Sequence, residues 1–281
     1  MSQLQQNLKQ RLPAPLWDAA RNSWYSIYRT AQWPAAAFHP WRRASQRQLA
    51  GLKDAYRGKR CFIIGNGPSL KRTDLAKLRG EFTFGMNRIY LLFPELGFST
   101  TFFLSVNDLV IEQCAREILA LPMPKFLSWR SRTVLRPALE ATRNDLFQQR
   151  LVFLHTTYSG PKFAADARGR LWEGATVTYV ALQLAYHMGF EQVILIGVDH
   201  NFSTQGKPNT TVVSQGADPD HFDSRYFGQG FRWQLPDLDT SERAYRRARQ
   251  VYESAGRQVV DATVGGKLTV FPKVDYDSLF Q

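Results

Sequence analysis

Cys61-Phe62-Ile63-Ile64-Gly65-Asn66-Gly67-Pro68-Ser69-Leu70 decides how the rest of the chain is read. An apolar, β-branched run enters a turn bracketed by glycines, and a polar segment follows. Glycine has no Cβ, so a strand that ends in Gly-Asn-Gly lets its backbone approach a ligand closely. Pro68 can open a helical turn without an N–H of its own. The free N–H groups from Ser69 onward are expected to face an anion such as a phosphate. Leu70 stands where the dinucleotide fingerprint needs its third glycine, and the Gly-Lys-Ser/Thr of a P-loop is absent, which disfavours both of those nucleotide sites. The alternative is a tight strand-to-helix turn of any α/β protein.

Working outward, strand-like and helix-like segments alternate. Strands are expected over 61–65, 82–86, 101–106, 125–128, 151–155, 192–198 and 258–260, and helices over 72–78, 108–119, 176–188 and 241–255. This alternation predicts an α/β fold, a mostly parallel Rossmann-like sheet with helices on both faces. Ligands of such sheets gather beyond the carboxyl ends of the strands. Asn66, Asn87, Asn107 and Asp199 each follow an expected strand and are candidates to converge on one crevice. Turn chemistry explains any one of these asparagines by itself.

The 281 residues suffice for one α/β domain with appendages. The expected division is a basic aromatic helical arm over 1–57, a nucleotide-binding transferase domain over 58–275 and a tail over 276–281. Residues 203–233 form a long polar, glycine-bearing stretch, read as a mobile lid that orders over a bound nucleotide, with a disordered insertion as the alternative. Of the net charge of +12, residues 1–60 carry eleven basic against two acidic groups, or +9, so the remaining chain holds only +3. Trp17, Ala20, Trp24, Ile27 and Tyr28 recur at helical spacing, which predicts an amphipathic helix. Rings and cations together suit an anionic membrane surface. Packing on the body or on a second subunit, in a homo-oligomer, is the other reading. Nucleic acid is disfavoured, because the body has no basic, base-reading pattern.

Cys61 and Cys114 suggest neither a disulfide framework nor a zinc site and favour a reducing, cytoplasmic setting. No apolar run reaches about eighteen residues, and no signal-peptide core is present, so a spanning or exported protein is not expected. If the arm meets lipid, the protein is peripheral at the inner face of the membrane. Tyr179 and Tyr186 read as packing residues. Lys162, Arg168 and Arg170 read as a charged loop that could meet phosphate, and Trp233 and Gly265-Gly266-Lys267 as borders of the crevice.

Several motifs occur in order: Gly65-Asn66-Gly67-Pro68-Ser69-Leu70, Phe84-Gly85-Met86-Asn87-Arg88, Gly174-Ala175-Thr176-Val177-Thr178, Gly197-Val198-Asp199-His200 and Tyr226-Phe227-Gly228. Together they resemble the 6-hydroxymethylpterin diphosphokinase MptE-like family over roughly residues 58–275. The same scaffold is similar to that of bacterial sialyltransferases that use CMP-sialic acid. The sialyltransferase resemblance implies that Asn66, Asn87 and Asn107 hold the CMP portion of the donor, that Thr176 lines the nucleotide pocket and that Tyr226 approaches the donor phosphate. Gly65, Gly67, Ser69, Asp199 and Gln229 complete the candidate nucleotide site. The acceptor would be a glycan or a lipid-linked molecule.

Two departures stand out. Gln229 occupies the position of the general-base histidine and cannot take a proton. His200-Asn201 replaces a phosphate-contacting tyrosine. His200 and His221 are then the available bases, with His200 favoured because it follows a strand end. The diphosphokinase resemblance instead implies ATP and Mg²⁺ held by Asp199, Asp218 and Asp220. No cofactor is implied otherwise. A non-catalytic nucleotide-binding protein is the third reading.

Overall fold

The structure is a computed structural model. It describes residues 33–141, 150–158, 162–204 and 206–281, with isolated positions at 16, 20, 23, 24, 27, 31 and 146. The amphipathic helix expected around Trp17 to Tyr28 lies largely outside the described residues.

An eight-stranded, wholly parallel sheet forms the centre. Its strands are β1 (Arg60–Ile64), β2 (Thr83–Met86), β3 (Phe102–Ser105), β4 (Lys125–Ser128), β5 (Leu151–Thr157), β6 (Arg170–Trp172), β7 (Gln192–Ile196) and β10 (Gln258–Asp261). Their order is β10-β7-β1-β2-β3-β4-β5-β6. The chain builds outward from β1 in one direction as far as β6, then returns to place β7 and β10 on the other side. β1 and β7 therefore flank the point where the order reverses, which is where doubly wound sheets bind their ligands.

Strand periodicity sorts side chains between two cores. Cys61 and Ile63 face one, with Tyr179, Leu182, Ala244 and Tyr252 of α7 (Val177–Met188) and α8 (Leu238–Ser254). Phe62 and Ile64 face the other, with Val110, Ile118 and Leu135 from helices spanning Asp108–Gln113, Ala115–Ala120 and Arg132–Ala141. The fold class expected from the alternation is the one observed. Among the described residues no helix is long and apolar enough to cross a membrane.

Two expected helices differ. The segment 72–78 forms two short 3₁₀ turns, Pro68–Arg72 and Leu75–Leu78, because Thr73 is extended and Asp74 starts a new turn by accepting the N–H of Ala76. The segment 108–119 breaks at Cys114, which leaves helical geometry between its two halves.

The expected boundary at residue 57 does not coincide with a break in packing. Helices α1 (Trp33–Phe38) and α2 (Pro40–Leu52) lie on the body, with Ala36 and Leu49 buried in its two cores. Only the end of β5 pairs with β6, from His155 onward. Beside the earlier part of β5, α2 supplies the partners: Ser45 Oγ accepts the N–H of Phe153 (2.9 Å), Arg42 donates to Phe153 O (3.1 Å), and Gln48 donates to Leu151 O (3.1 Å). A helix thereby covers a sheet edge that would otherwise expose unpaired backbone. The expected tail is packed as well. Phe280 stacks on Phe62, and Tyr276 donates to Asp74 O.

Residues 203–233 are not a bare loop. Two strands, β8 (Thr211–Val213) and β9 (Arg232–Gln234), pair antiparallel. Phe227 stacks with Phe231 and Trp233. Phe222, Tyr226, Phe227 and Trp233 join the second core, so this insert is held by buried aromatic surface.

Candidate active site at the strand ends

The turn after β1 is locked to the strand end after β7. Gly65 N–H donates to Ile196 O (2.7 Å), and Gly67 N–H donates to Gly197 O (2.9 Å). A Cβ on Gly65 would lie 2.1 Å from Gly197 O, and one on Gly67 would lie 1.8 Å from Asp199 Oδ2. Both glycines are therefore required by close approach, but the neighbour is protein.

The N–H expected to face a phosphate is occupied as well. Ser69 donates its N–H to Asp199 Oδ1 (3.1 Å) and its hydroxyl to Asp199 Oδ2 (2.6 Å). The Asp199 carboxylate takes the position an anion would take at this turn. Charge-assisted bonds of this kind hold the two strand ends together.

Asn66 lies over the switch point. Its carbonyl accepts the N–H of Phe222 (2.9 Å), and its Oδ1 is buried without a hydrogen-bond partner among the described residues. Asn87 has a left-handed φ of 53°, a conformation that asparagine tolerates better than most residues, and its Oδ1 accepts from Ser105 Oγ (2.9 Å).

Next to it, Arg88 threads into the insert, donating to the carbonyls of Arg225 (2.8 Å) and Tyr226. The Arg88 N–H points at the Tyr226 hydroxyl (3.5 Å). Burial pushes the Tyr226 phenol well above its usual value, so it stays protonated.

His221 stacks on Tyr226, with ring centroids 4.0 Å apart, and its Nδ1 bonds Asp218 Oδ2 (2.8 Å). The Asp218 carboxylate also accepts the N–H groups of Asp220 and Phe227. Asp220 is below its ordinary value: burial raises it, but four donations from Ser203 and Thr204 outweigh that.

A third group surrounds His200, which follows Asp199 in a left-handed conformation (φ 54°). Its Nε2 bonds Glu242 Oε1 (3.2 Å), and Glu242 is braced by Arg246 (2.6 Å). The His200 side chain is 8% exposed. Tyr245 packs nearby, and its hydroxyl meets Thr176 Oγ1 at 3.3 Å. Thr176 also caps α7 by accepting the N–H of Thr178.

Contacts thus link Gly65, Asn66, Gly67, Ser69 and Asp199 to Asn87, Tyr226 and His221 through Phe222 and Arg88. His200 and Thr176 adjoin them through Asp199 and Tyr245. Asn107 is used differently: its Oδ1 caps a helix by accepting the N–H groups of Leu109 (3.0 Å) and Val110 (3.3 Å). Gln229 sits exposed in a turn of the insert. Lys267 does border the crevice, its N–H donating to Asp199 O (2.8 Å).

The residues read for Mg²⁺ do not fit that ion. Asp199, Asp218 and Asp220 spend their oxygens on Ser69, on His221 with two backbone N–H groups, and on Ser203 with Thr204. Among the described residues no three His, Cys, Asp or Glu side chains group in a way that could hold a metal.

Glu242 and Arg88 were not singled out from sequence. Arg88 stands inside a quoted motif. For Glu242 the available signal was its place in the first turns of α8, three residues before buried Tyr245, and nothing local ties it to His200, 42 positions away.

No family model matches the chain, and no curated protein matches it. Among solved structures, a MAf glycosyltransferase from Magnetospirillum magneticum AMB-1 is similar to 85% of this chain at 13% identity, with a TM-score of 0.42. The chain spans 39% of that structure's length. Similarity this distant speaks neither for nor against a common activity.

Proposed function

We propose that the protein is a nucleotide-dependent transferase, a glycosyltransferase that takes a sugar from a CMP-activated or related nucleotide donor and places it on a glycan or lipid-linked hydroxyl. The observation that carries this reading is the His200–Glu242 pair, set beside the crevice where the strand order reverses. A histidine bonded to a carboxylate through one ring nitrogen has its tautomer set by that bond. With Nε2–H directed at Glu242, Nδ1 is the atom left to accept a proton.

In the proposed reaction the acceptor hydroxyl gives its proton to His200 Nδ1, and its oxygen forms the new bond to the anomeric carbon. The bond from that carbon to the donor phosphate breaks, and the nucleotide leaves with the electron pair. Arg88, and Tyr226 with its retained proton, supply positive potential and a donor near the leaving phosphate.

Calorimetric titration with CMP, and with ATP with and without Mg²⁺, tests the reading. Metal-independent CMP binding, weakened in Asn66→Ala and Asn87→Ala, is expected. Binding of Mg²⁺-ATP with no CMP signal would overturn it in favour of a diphosphokinase. Once a donor is found, Glu242→Gln should lower kcat about 10²-fold and shift the pH–rate profile while leaving CMP affinity near wild type.

A further inference from the structure

A groove of about 700 Å³ runs between α2 and the 166–169 segment, on the side of the body that the arm covers. Trp33, Arg43, Gln46, Arg47, Asp166 and Arg168 line it. Its far wall is fixed from beneath. Buried Arg42 donates to the carbonyls of Arg168 (2.6 Å) and Gly169 (2.9 Å), and Gln46 adds a bond to Arg168 O (3.2 Å). The arginines therefore stand on a rigid frame.

The charge in the groove is unbalanced. Asp166 is its one carboxylate, and Arg168 holds it (2.6 Å), with Lys53 and His187 also near. Arg43 and Arg47 make no ion pair among the described residues. They are four apart on one helix, an arrangement of like charges that costs stability unless an anion lies between them. Between Asp18 and Asp54 the chain carries no acidic residue at all, against Arg21, Arg29, Arg42, Arg43, Arg47 and Lys53.

Guanidinium groups in this density match the oxygens of a phosphate, which they bind through paired donors. An exposed aromatic ring borders the same face, and further apolar side chains are exposed earlier on the arm. Phe38 is 70% exposed, with the Arg43 guanidinium 5.5 Å from its ring centre, and Trp24 and Ile27 are exposed on the arm. Rings and cations side by side are the arrangement that seats a protein at headgroup depth.

We propose that this groove binds a phosphate group, carried by an anionic phospholipid in a bilayer or by a soluble phosphate ester. It is separate from the crevice at the strand ends and does not depend on the donor reading.

The test uses the full chain, wild type and Arg43→Gln/Arg47→Gln, with Arg168→Gln as a second variant. Each is titrated with inorganic diphosphate and co-sedimented with vesicles of phosphatidylglycerol and phosphatidylcholine, and of phosphatidylcholine alone. Loss of two arginines should lower partitioning onto the anionic vesicles about 30-fold. Binding of both probes through the arginines identifies a lipid headgroup site. Diphosphate binding alone identifies a soluble ester, and either result supports the groove. If neither probe binds, or if the double variant binds like wild type, the proposal falls. CMP titration of the same variants keeps the two sites apart, and CMP affinity unchanged from wild type is expected. CMP binding lost together with the anion probes would place CMP in the groove and overturn a separate site, whereas failure of CMP to bind the wild type as well would count only against the transferase reading.

Discussion

Gly67 and Asp199 show what single residues do at this site. An alanine at 67 would drive its Cβ into Asp199 Oδ2, so the carboxylate must swing away from both Ser69 donors. Gly67→Ala is expected to cost about 2–4 kcal/mol, read as a lower urea midpoint. Gly51→Ala is the contrast. That glycine lies inside α2 with nothing near its would-be Cβ, so alanine should stabilise by about 0.5–1 kcal/mol. A midpoint unchanged in Gly67→Ala would mean that the turn is not held by Asp199.

His187 gives a pH dependence. Burial of its ring lowers it from 6.5, outweighing the bond from Nε2 to Leu49 O (2.9 Å), which raises it. The folded protein prefers the neutral ring, so this contribution is complete above 6.5 and is lost as pH falls through the depressed value. Melting temperature should fall as pH drops below 6.5, and less steeply in His187→Gln. The need for Gly65 and Gly67 was legible in the sequence. The partner they approach was not, because Asp199 lies 132 positions from Gly67 and a carboxylate beyond a strand reads equally well as a ligand contact.

At the scale of elements, the sequence reading placed α2 only within a helical arm over 1–57 and did not single it out. Its inward face carries Arg42, Ser45 and Leu49, so an apolar stripe, the usual signature of a packed helix, is missing. Polar residues point inward there because the surface they meet is a sheet edge with unpaired N–H and C=O groups. Arg42→Met keeps the bulk and removes the donors, taking the side-chain partner from the carbonyls of Phe153 and Gly169 and leaving Arg168 O with Gln46 alone. A loss of about 3 kcal/mol in equilibrium unfolding is expected. Deletion of residues 1–57, which the expected boundary would permit, should uncover β5 and give soluble aggregates by light scattering. A monodisperse, folded fragment would show that the arm is dispensable. Seven strands of the sheet were legible as short, mostly apolar runs, whereas β6, β8 and β9 were not, because each is only three residues long with one or no buried side chain. The 3₁₀ turns after β1 were not, because helical phase alone cannot distinguish two tight turns from one short helix.

For the whole molecule, what the sequence could not supply was the order of the strands. Alternation announced a parallel sheet, but only the placement of β7 beside β1 brings Asn66, Asp199 and His200 to one crevice. The insert covers that crevice through Phe222 on Asn66 and Tyr226 on Arg88. If CMP is the ligand, these contacts must open before it reaches Asn66. Stopped-flow fluorescence from Trp233, buried in the insert, should show an observed rate that levels off as CMP concentration rises. A rate that climbs linearly throughout would sink the idea of a covered site.

The same strand order has a consequence during synthesis. β1 sits near the middle of the finished sheet, with β7 hydrogen-bonded along its whole length, yet 127 residues separate Ile64 from Gln192. At about 5–20 residues per second a ribosome takes roughly 6–25 s to make that interval. Throughout it, the nascent chain carries Arg60-Cys61-Phe62-Ile63-Ile64 as an open edge of apolar, β-prone residues, the kind of segment that pairs with whatever strand comes first. The feature that assembles the crevice is thus also the chain's point of greatest exposure to chaperones and to misassembly while it is being made.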